Sequence, residues 1–204
     1  MVETVVTIHK WATETFGSPK RTAVLGKTLE ELLEFQRALV AWFEIEDEMR
    51  NLRMDRVGKY DPPEEHAKAL EEYEKAEITY KKRLYDLRKE LGDCFVMLSN
   101  CFEGSGAMQF PSLAGEAVRG PLSEGRRSLW VQGLGRINLG LSELLVGIQR
   151  WDDIEYWLQA TWSHLSWIAV GLRVDVQEVV DEVMVINRDR QWRVDGDGTG
   201  KHIG

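Results

Sequence analysis

Residues 25–43 read Leu25-Gly-Lys27-Thr-Leu29-Glu30-Glu31-Leu32-Leu-Glu34-Phe-Gln36-Arg-Ala-Leu39-Val-Ala-Trp-Phe43. Leu25, Leu29, Leu32, Gln36, Leu39 and Phe43 recur at steps of three and four, the spacing of one face of an α-helix. The stripe extends to about Val57, where Gly58 ends it, and Ser18-Pro19 upstream offers an N-cap followed by a proline at the first helical position. Asp61-Pro62-Pro63-Glu64 combines a cap, prolines in the first turn and an acid three residues on, which starts a second long helix. That helix is mostly charged from Glu64 to Lys89 and apolar from Leu91 to Phe102. Farther on, 134–151, 154–170 and 176–192 carry helical apolar spacing, with Asp152-Asp153 and Asp175 placed to begin the last two. No segment alternates as a strand would. The expectation is an all-α bundle of about five or six helices, with two long antiparallel helices joined at Gly58–Pro63.

Between Gly104 and Gly125, Gly, Ser and Pro recur and the periodicity lapses, as in a linker or loop. The chain is therefore expected to form one all-α unit over 1–204, with halves at 1–103 and 126–204 about the loop 104–125. Leu25-Gly-Lys27 with Leu29-Glu-Glu31-Leu-Leu also parallels Leu134-Gly-Arg136 with Leu141-Ser-Glu143-Leu-Leu, as a fused, diverged duplication would. Short Leu/Glu matches arise freely between amphipathic helices, and chance is the favoured account of the likeness.

With 204 residues, 43% hydrophobic and 29% charged, the chain can bury a sizeable core and has neither a disordered nor a fibrous composition. A net charge of −8 argues against the broad basic surface that nucleic-acid binding needs. No apolar run reaches the roughly 20 residues that span a bilayer, so no membrane partner is expected. Residues 1–7 lack the basic start and apolar run of a secretory signal, which makes cytoplasm the default compartment. Cys94 and Cys101 lie about two helical turns apart, too far to bridge, and are read as reduced, buried thiols.

Chemistry concentrates in two acidic pairs, Glu31 with Glu34 and Glu90 with Asp93. Each is spaced i, i+3, so each presents two carboxylates from one helix face. Acids so spaced are commonplace on solvated helices, but Asp93 runs straight into Cys-Phe-Val-Met-Leu, where an unpaired charge is costly. If the two helices pack side by side, four carboxylates converge as hard oxygen ligands suited to Mg²⁺ or Mn²⁺.

Lys27-Thr-Leu-Glu30-Glu31-Leu-Leu-Glu34 followed by Lys89-Glu90-Leu-Gly-Asp93-Cys-Phe resembles the paired acidic signature of the MazG-like all-α nucleoside triphosphate pyrophosphohydrolases. The block from Ile186-Asn187-Arg188-Asp189-Arg190-Gln191-Trp192 to Lys201-His202 is similar to the closing segment of phage and bacterial members, and Trp11-Ala-Thr-Glu-Thr-Phe16-Gly17 to their opening one. The enlarged middle departs from the compact members. The resemblance implies hydrolysis of a (d)NTP to a nucleoside monophosphate and pyrophosphate, with a metal-activated water attacking the α-phosphorus. Glu31, Glu34, Glu90 and Asp93 would be both catalytic and metal ligands, with Mg²⁺ or Mn²⁺ as cofactor. Arg188 and Arg190 would steady phosphates, with Lys27 a weaker candidate, and solvated positions at a helix end are the competing role for the arginines. Trp11, Phe16 and Trp192 would stack on the base and Asn187 would hydrogen-bond base or sugar, against core packing for any single aromatic. The likeness to phage members implies a purine dNTP, dATP or dGTP, a homodimer or larger assembly, and host cytoplasm for a phage-borne gene. The contrasting expectation is a non-catalytic helical nucleotide sensor or interaction protein on the same bundle.

Trp151, Trp157, Trp162 and Trp167 follow no ligand pattern and are assigned to helix packing or a subunit interface. Asp195-Gly-Asp197-Gly-Thr199-Gly200 imitates the start of a calcium loop, but the required twelfth-position acid would lie past Gly204. It also lacks the strand and helix that flank a P-loop, so it reads as a flexible tail or a lid over the nucleotide. His9, His66, His164 and His202 show no zinc spacing.

Overall fold

The structure is a computed structural model, described over residues 2–18, 20–57, 63–102, 109–110, 124–147, 153–194, 196 and 199–203; the side chains of 53–57, 63–66, 124 and 202 are left aside. Among the described residues it is an all-α bundle of six helices with one small hairpin. The elements are α1 (Val5–Phe16), α2 (Arg21–Val57), α3 (Pro63–Cys101), α4 (Glu124–Leu145), α5 (Ile154–Leu172), α6 (Val176–Asp189), β1 (Trp192–Val194) and β2 (Gly200–His202).

Helices α2 and α3 form the spine. α1, α5 and α6 pack on α3, while α4 packs on α2 and α5. The apolar stripe of α2 is inside, with Leu25, Leu32, Phe35 and Leu39 fully buried against Leu87, Leu91, Phe95 and Leu98 of α3. Thr28 Oγ1 of α2 lies 3.4 Å from Cys101 Sγ of α3. That contact, with the apposition of Glu34 and Glu90, sets an antiparallel register in which α2 begins where α3 ends. Trp162 of α5 closes the core against Phe95 and Phe102, edge-on at 4.8 and 5.7 Å.

Several boundaries differ from the sequence reading. Helix α1 was not anticipated, although it has a capping box between Thr4 and Thr7, buries Val5, Ile8, Ala12 and Phe16, and stops at Gly17 with φ +86°. α4 starts at Glu124, ten residues ahead of the expected Leu134. Asp175 caps α6 as expected, accepting from the Glu178 amide at 3.2 Å, whereas Asp153 precedes α5 without a side-chain cap bond. α6 does not continue to Trp192. The backbone turns extended at Arg190, and 192–194 pairs antiparallel with 200–202 in the register Trp192↔His202, Arg193↔Lys201, Val194↔Gly200. The expectation of no strands was wrong because three-residue strands are too short to show a period of two. Pro19, Gly58, Asp61, Pro62, Trp151, Asp152, Asp195, Asp197 and most of the 104–125 loop lie outside the described residues.

Gly92 lets α6 approach α3. A Cβ there would sit 2.8 Å from both Val179 Cγ1 and Val183 Cγ2, whereas one at Gly26 would meet nothing within 4 Å. Alanine gains about 1 kcal/mol of helix propensity over glycine, and overpacking costs about 1–3 kcal/mol. Gly26→Ala is therefore expected to raise the melting temperature followed by circular dichroism, and Gly92→Ala to lower it. Equal shifts of the same sign would show that α6 yields freely at this contact.

Candidate functional site

The i, i+3 spacing on each helix and the antiparallel register bring the two acidic pairs together. One carboxylate oxygen from each of Glu31, Glu34 and Glu90 lies within 4.8 Å of the other two. Asp93 is not part of this triad but stands beside it, with its carboxylate accepting from Lys89 Nζ at 2.7 Å. The helices repeat one arrangement: Lys27 Nζ lies 3.1 Å from Glu31 four residues on, and Lys89 Nζ 2.7 Å from Asp93 at the same spacing. Lys27 is shared with Glu30 at 2.8 Å and Lys89 with Glu90 at 3.3 Å.

The two ammonium groups do not neutralise four carboxylates. Burial pushes the Glu31 carboxyl above its ordinary range; Lys27 pulls it down, while Asp93 and Glu34 drive it up again. Glu90 is raised in the same way, by burial first, with Lys89 opposing and Asp93 and Glu34 adding to it. Its Oε2 is buried without a hydrogen-bond partner. Burial works against the charge of both lysines, yet their acidic neighbours hold each above its usual value. Crowded, partly dehydrated carboxylates with an unpaired oxygen are the donor set a hard divalent cation satisfies. The residues therefore fit such an ion.

The carboxylates open onto a cavity of about 380 Å³. Its acidic wall carries Glu31, Glu34 and Asp93 with Lys27 and Lys89, and Glu90 stands behind it. The opposite side comes from the two ends of the chain. Trp11 and Phe16 of α1 meet Trp192 of β1 in an edge-to-face cluster, with ring centroids 5.2 to 6.3 Å apart. Thr199, Gly200 and Lys201 of the hairpin line the same space. A Cβ at Gly200 would stand 2.7 Å from the Phe16 ring, so a side chain there would push the hairpin off α1.

Nine residues singled out from sequence line this cavity: Trp11, Phe16, Lys27, Glu31, Glu34, Asp93, Asn187, Arg190 and Trp192. Asn187 is buried and engaged, its Oδ1 accepting from Arg190 Nη1 at 3.0 Å and its backbone carbonyl from Trp192 Nε1 at 2.9 Å. It orients both neighbours. Arg188, expected to steady phosphates, does not line the cavity. Its guanidinium donates to buried Glu3 at 3.0–3.2 Å and lies 5.9 Å from the centre of the Trp11 ring. The reason is where α6 ends: Arg188 still belongs to the helix and reaches Glu3, whereas Arg190 lies past its last residue, where the backbone turns extended.

Sequence reasoning missed Lys89, Lys201 and Asn100 as wall residues. Lys89 and Lys201 stood inside the quoted blocks, and Asn100 follows Asp93, Val96 and Met97 along one stripe of α3. Cys94 and Cys101 are free thiols, as expected. Burial raises both, Cys94 well above its normal value with help from the four carboxylates and Cys101 to about 11 despite the Thr28 contact, so neither is a nucleophile at neutral pH. Among the described residues no helix is long and apolar enough to cross a membrane. No family model, curated protein or solved structure matches the chain.

Glu90→Gln removes one charge from the cluster and is expected to stabilise the metal-free protein while weakening stabilisation by Mn²⁺. Melting temperature rises about 2–4 °C for each kcal/mol of repulsion relieved in a chain of this size. The folded-state pKa of Glu90 lies above its unfolded value. Its ionisation cost is therefore absent below the unfolded carboxylate pKa of about 4.3 and complete above the raised folded value. Calorimetry should show the gap between Glu90→Gln and wild type closing toward about pH 4 and widening toward neutrality; a gap independent of pH would contradict it.

Proposed function

We propose that the chain is a metal-dependent nucleoside triphosphate pyrophosphohydrolase of the MazG-like type, releasing a nucleoside monophosphate and pyrophosphate from a (d)NTP, with a purine dNTP as the implied substrate. The observation that carries this reading is the three-glutamate cluster, two of whose members line a cavity shared with Lys27, Lys89, Arg190 and the rings of Trp11, Phe16 and Trp192. A triphosphate needs such a division, with its charge next to cations and its base against rings.

A bound Mg²⁺ or Mn²⁺ supplies charge neutralisation for the phosphates and makes water a better nucleophile at neutral pH. The chain's own residues do the rest. Glu31, Glu34 and Glu90 would hold the ion, with Asp93, which accepts from Lys89, as a further carboxylate beside them. Lys27 and Lys89 line the same wall and would offer ammonium groups to phosphate oxygens. Arg190, steered by Asn187, presents a guanidinium that fits phosphate oxygens as a fork, and Lys201 adds a second cation from the hairpin. Trp11, Phe16 and Trp192 offer ring surface to the base. The implied homodimer or larger assembly has exposed apolar residues available to it, Leu33 and Val40 on α2 and Leu139 on α4.

With Mg²⁺ or Mn²⁺ present, at least one of the eight common ribo- and deoxyribonucleoside triphosphates should yield pyrophosphate and the monophosphate. Asp93→Asn is expected to lower kcat by about 100-fold or more with helicity unchanged by circular dichroism. A well-folded protein that turns over none of the eight would sink the reading.

A further inference from the structure

Buried polar side chains are usually hydrogen-bonded, and among the described residues that line the cavity one side chain departs from that rule. Six polar residues are buried among the described ones: Glu3, Thr28, Ser99, Asn100, Thr161 and Asn187. Thr28, Ser99 and Thr161 each donate to the carbonyl four residues back, at 2.7 to 2.9 Å. Glu3 accepts from Arg188, and Asn187 from Arg190. Asn100, only 9% exposed, leaves Oδ1 with no partner at all. Of the buried unpartnered side-chain atoms among the described residues, it alone belongs to a residue lining the cavity.

Its place in the fold gives that acceptor a use. Asp93, Val96, Met97 and Asn100 follow one another at helical spacing along the cavity face of α3. Asn100 therefore lies two turns, about 10 Å, along the axis from the carboxylate end. Val96 and Met97 fill the interval with apolar surface. A ligand whose phosphates sit at Glu31, Glu34 and Asp93 must lay its other end toward Asn100 and the rings of Trp11, Phe16 and Trp192.

We propose that Asn100 reads the nucleobase, its Oδ1 accepting a hydrogen bond from an exocyclic amino group, so that amino-bearing bases are chosen over counterparts without that group. This rests on the reading of the cavity as a nucleotide site. Asn187, the amide expected from sequence to contact the base, already spends its oxygen on Arg190. A site built around a buried acceptor discriminates strongly, because a base lacking the donor leaves that acceptor unpaired.

The test measures equilibrium binding of dAMP and dGMP against dIMP, and of dCMP against dUMP, to the full chain with Mn²⁺, together with kcat/KM for the matching triphosphates. An amino-bearing base should be favoured over its counterpart by roughly 10- to 100-fold in both readouts. Asn100→Leu and Asn100→Ala should each bring that ratio close to one, chiefly by weakening binding and turnover of the amino-bearing bases. A wild-type preference for the base without the amino group, or a preference surviving both substitutions, overturns the assignment. Turnover with no base preference overturns it and leaves the hydrolase reading standing. Asn100-dependent discrimination among monophosphates without pyrophosphate release from any triphosphate overturns the hydrolase reading and keeps the assignment. Absence of both binding and turnover overturns both.

Discussion

Repulsion among carboxylates held on two tightly packed helices is the constraint around which the rest of the molecule is arranged. Leu32, Phe35 and Leu39 on α2 and Leu87, Leu91 and Phe95 on α3 lock the helices face to face. The same packing carries Glu31, Glu34 and Glu90 to within 4.8 Å of one another. Hydrophobic burial, at about 25 cal/mol per Å², readily outweighs the mutual repulsion of partly screened acids, so the core dictates the cluster. Lys27 and Lys89 moderate its charge only in part. What remains is an unpaired Glu90 oxygen and two carboxyls raised above their ordinary range, and an oxygen-seeking cation relieves both.

The opposite wall depends on bringing the chain ends together. Glu3, buried ahead of α1, takes the Arg188 guanidinium, and its backbone amide donates to Asp181 at 2.7 Å. Gln177 Nε2 donates at 2.9 Å both to the Glu3 carbonyl and to Asp181. This network ties α1 to α6. With α1 so anchored, Trp11 and Phe16 meet Trp192, and the hairpin rests on Phe16 through the bare Cα of Gly200. Arg188 thus serves the cavity at one remove, by fixing the helix that carries its aromatic residues.

The long elements could be read from sequence because their signals are long: a stripe of leucines over many turns, proline and glycine punctuation, and Asp175 before α6. The acidic pairs were legible because i, i+3 spacing survives into three dimensions unchanged. Short features were not. α1 has only twelve residues, the β-strands three each, and such lengths leave little periodicity to detect. Arg188 and Arg190 look equivalent in sequence, yet one faces Glu3 and the other the cavity, a difference set by where α6 ends. The stripe it shares with Asp93 places Asn100 on the cavity face, but its unpaired oxygen gave no sign, since an unpaired acceptor exists only once its surroundings are packed.

The most direct test is anomalous scattering from crystals grown with Mn²⁺. A peak bonded to oxygens of Glu31, Glu34 and Glu90 at about 2.0–2.3 Å, and lost in Glu34→Gln crystals, is the expected result. Well-ordered crystals in which those carboxylates point apart into solvent, with no peak between them at saturating Mn²⁺, would contradict the central claim.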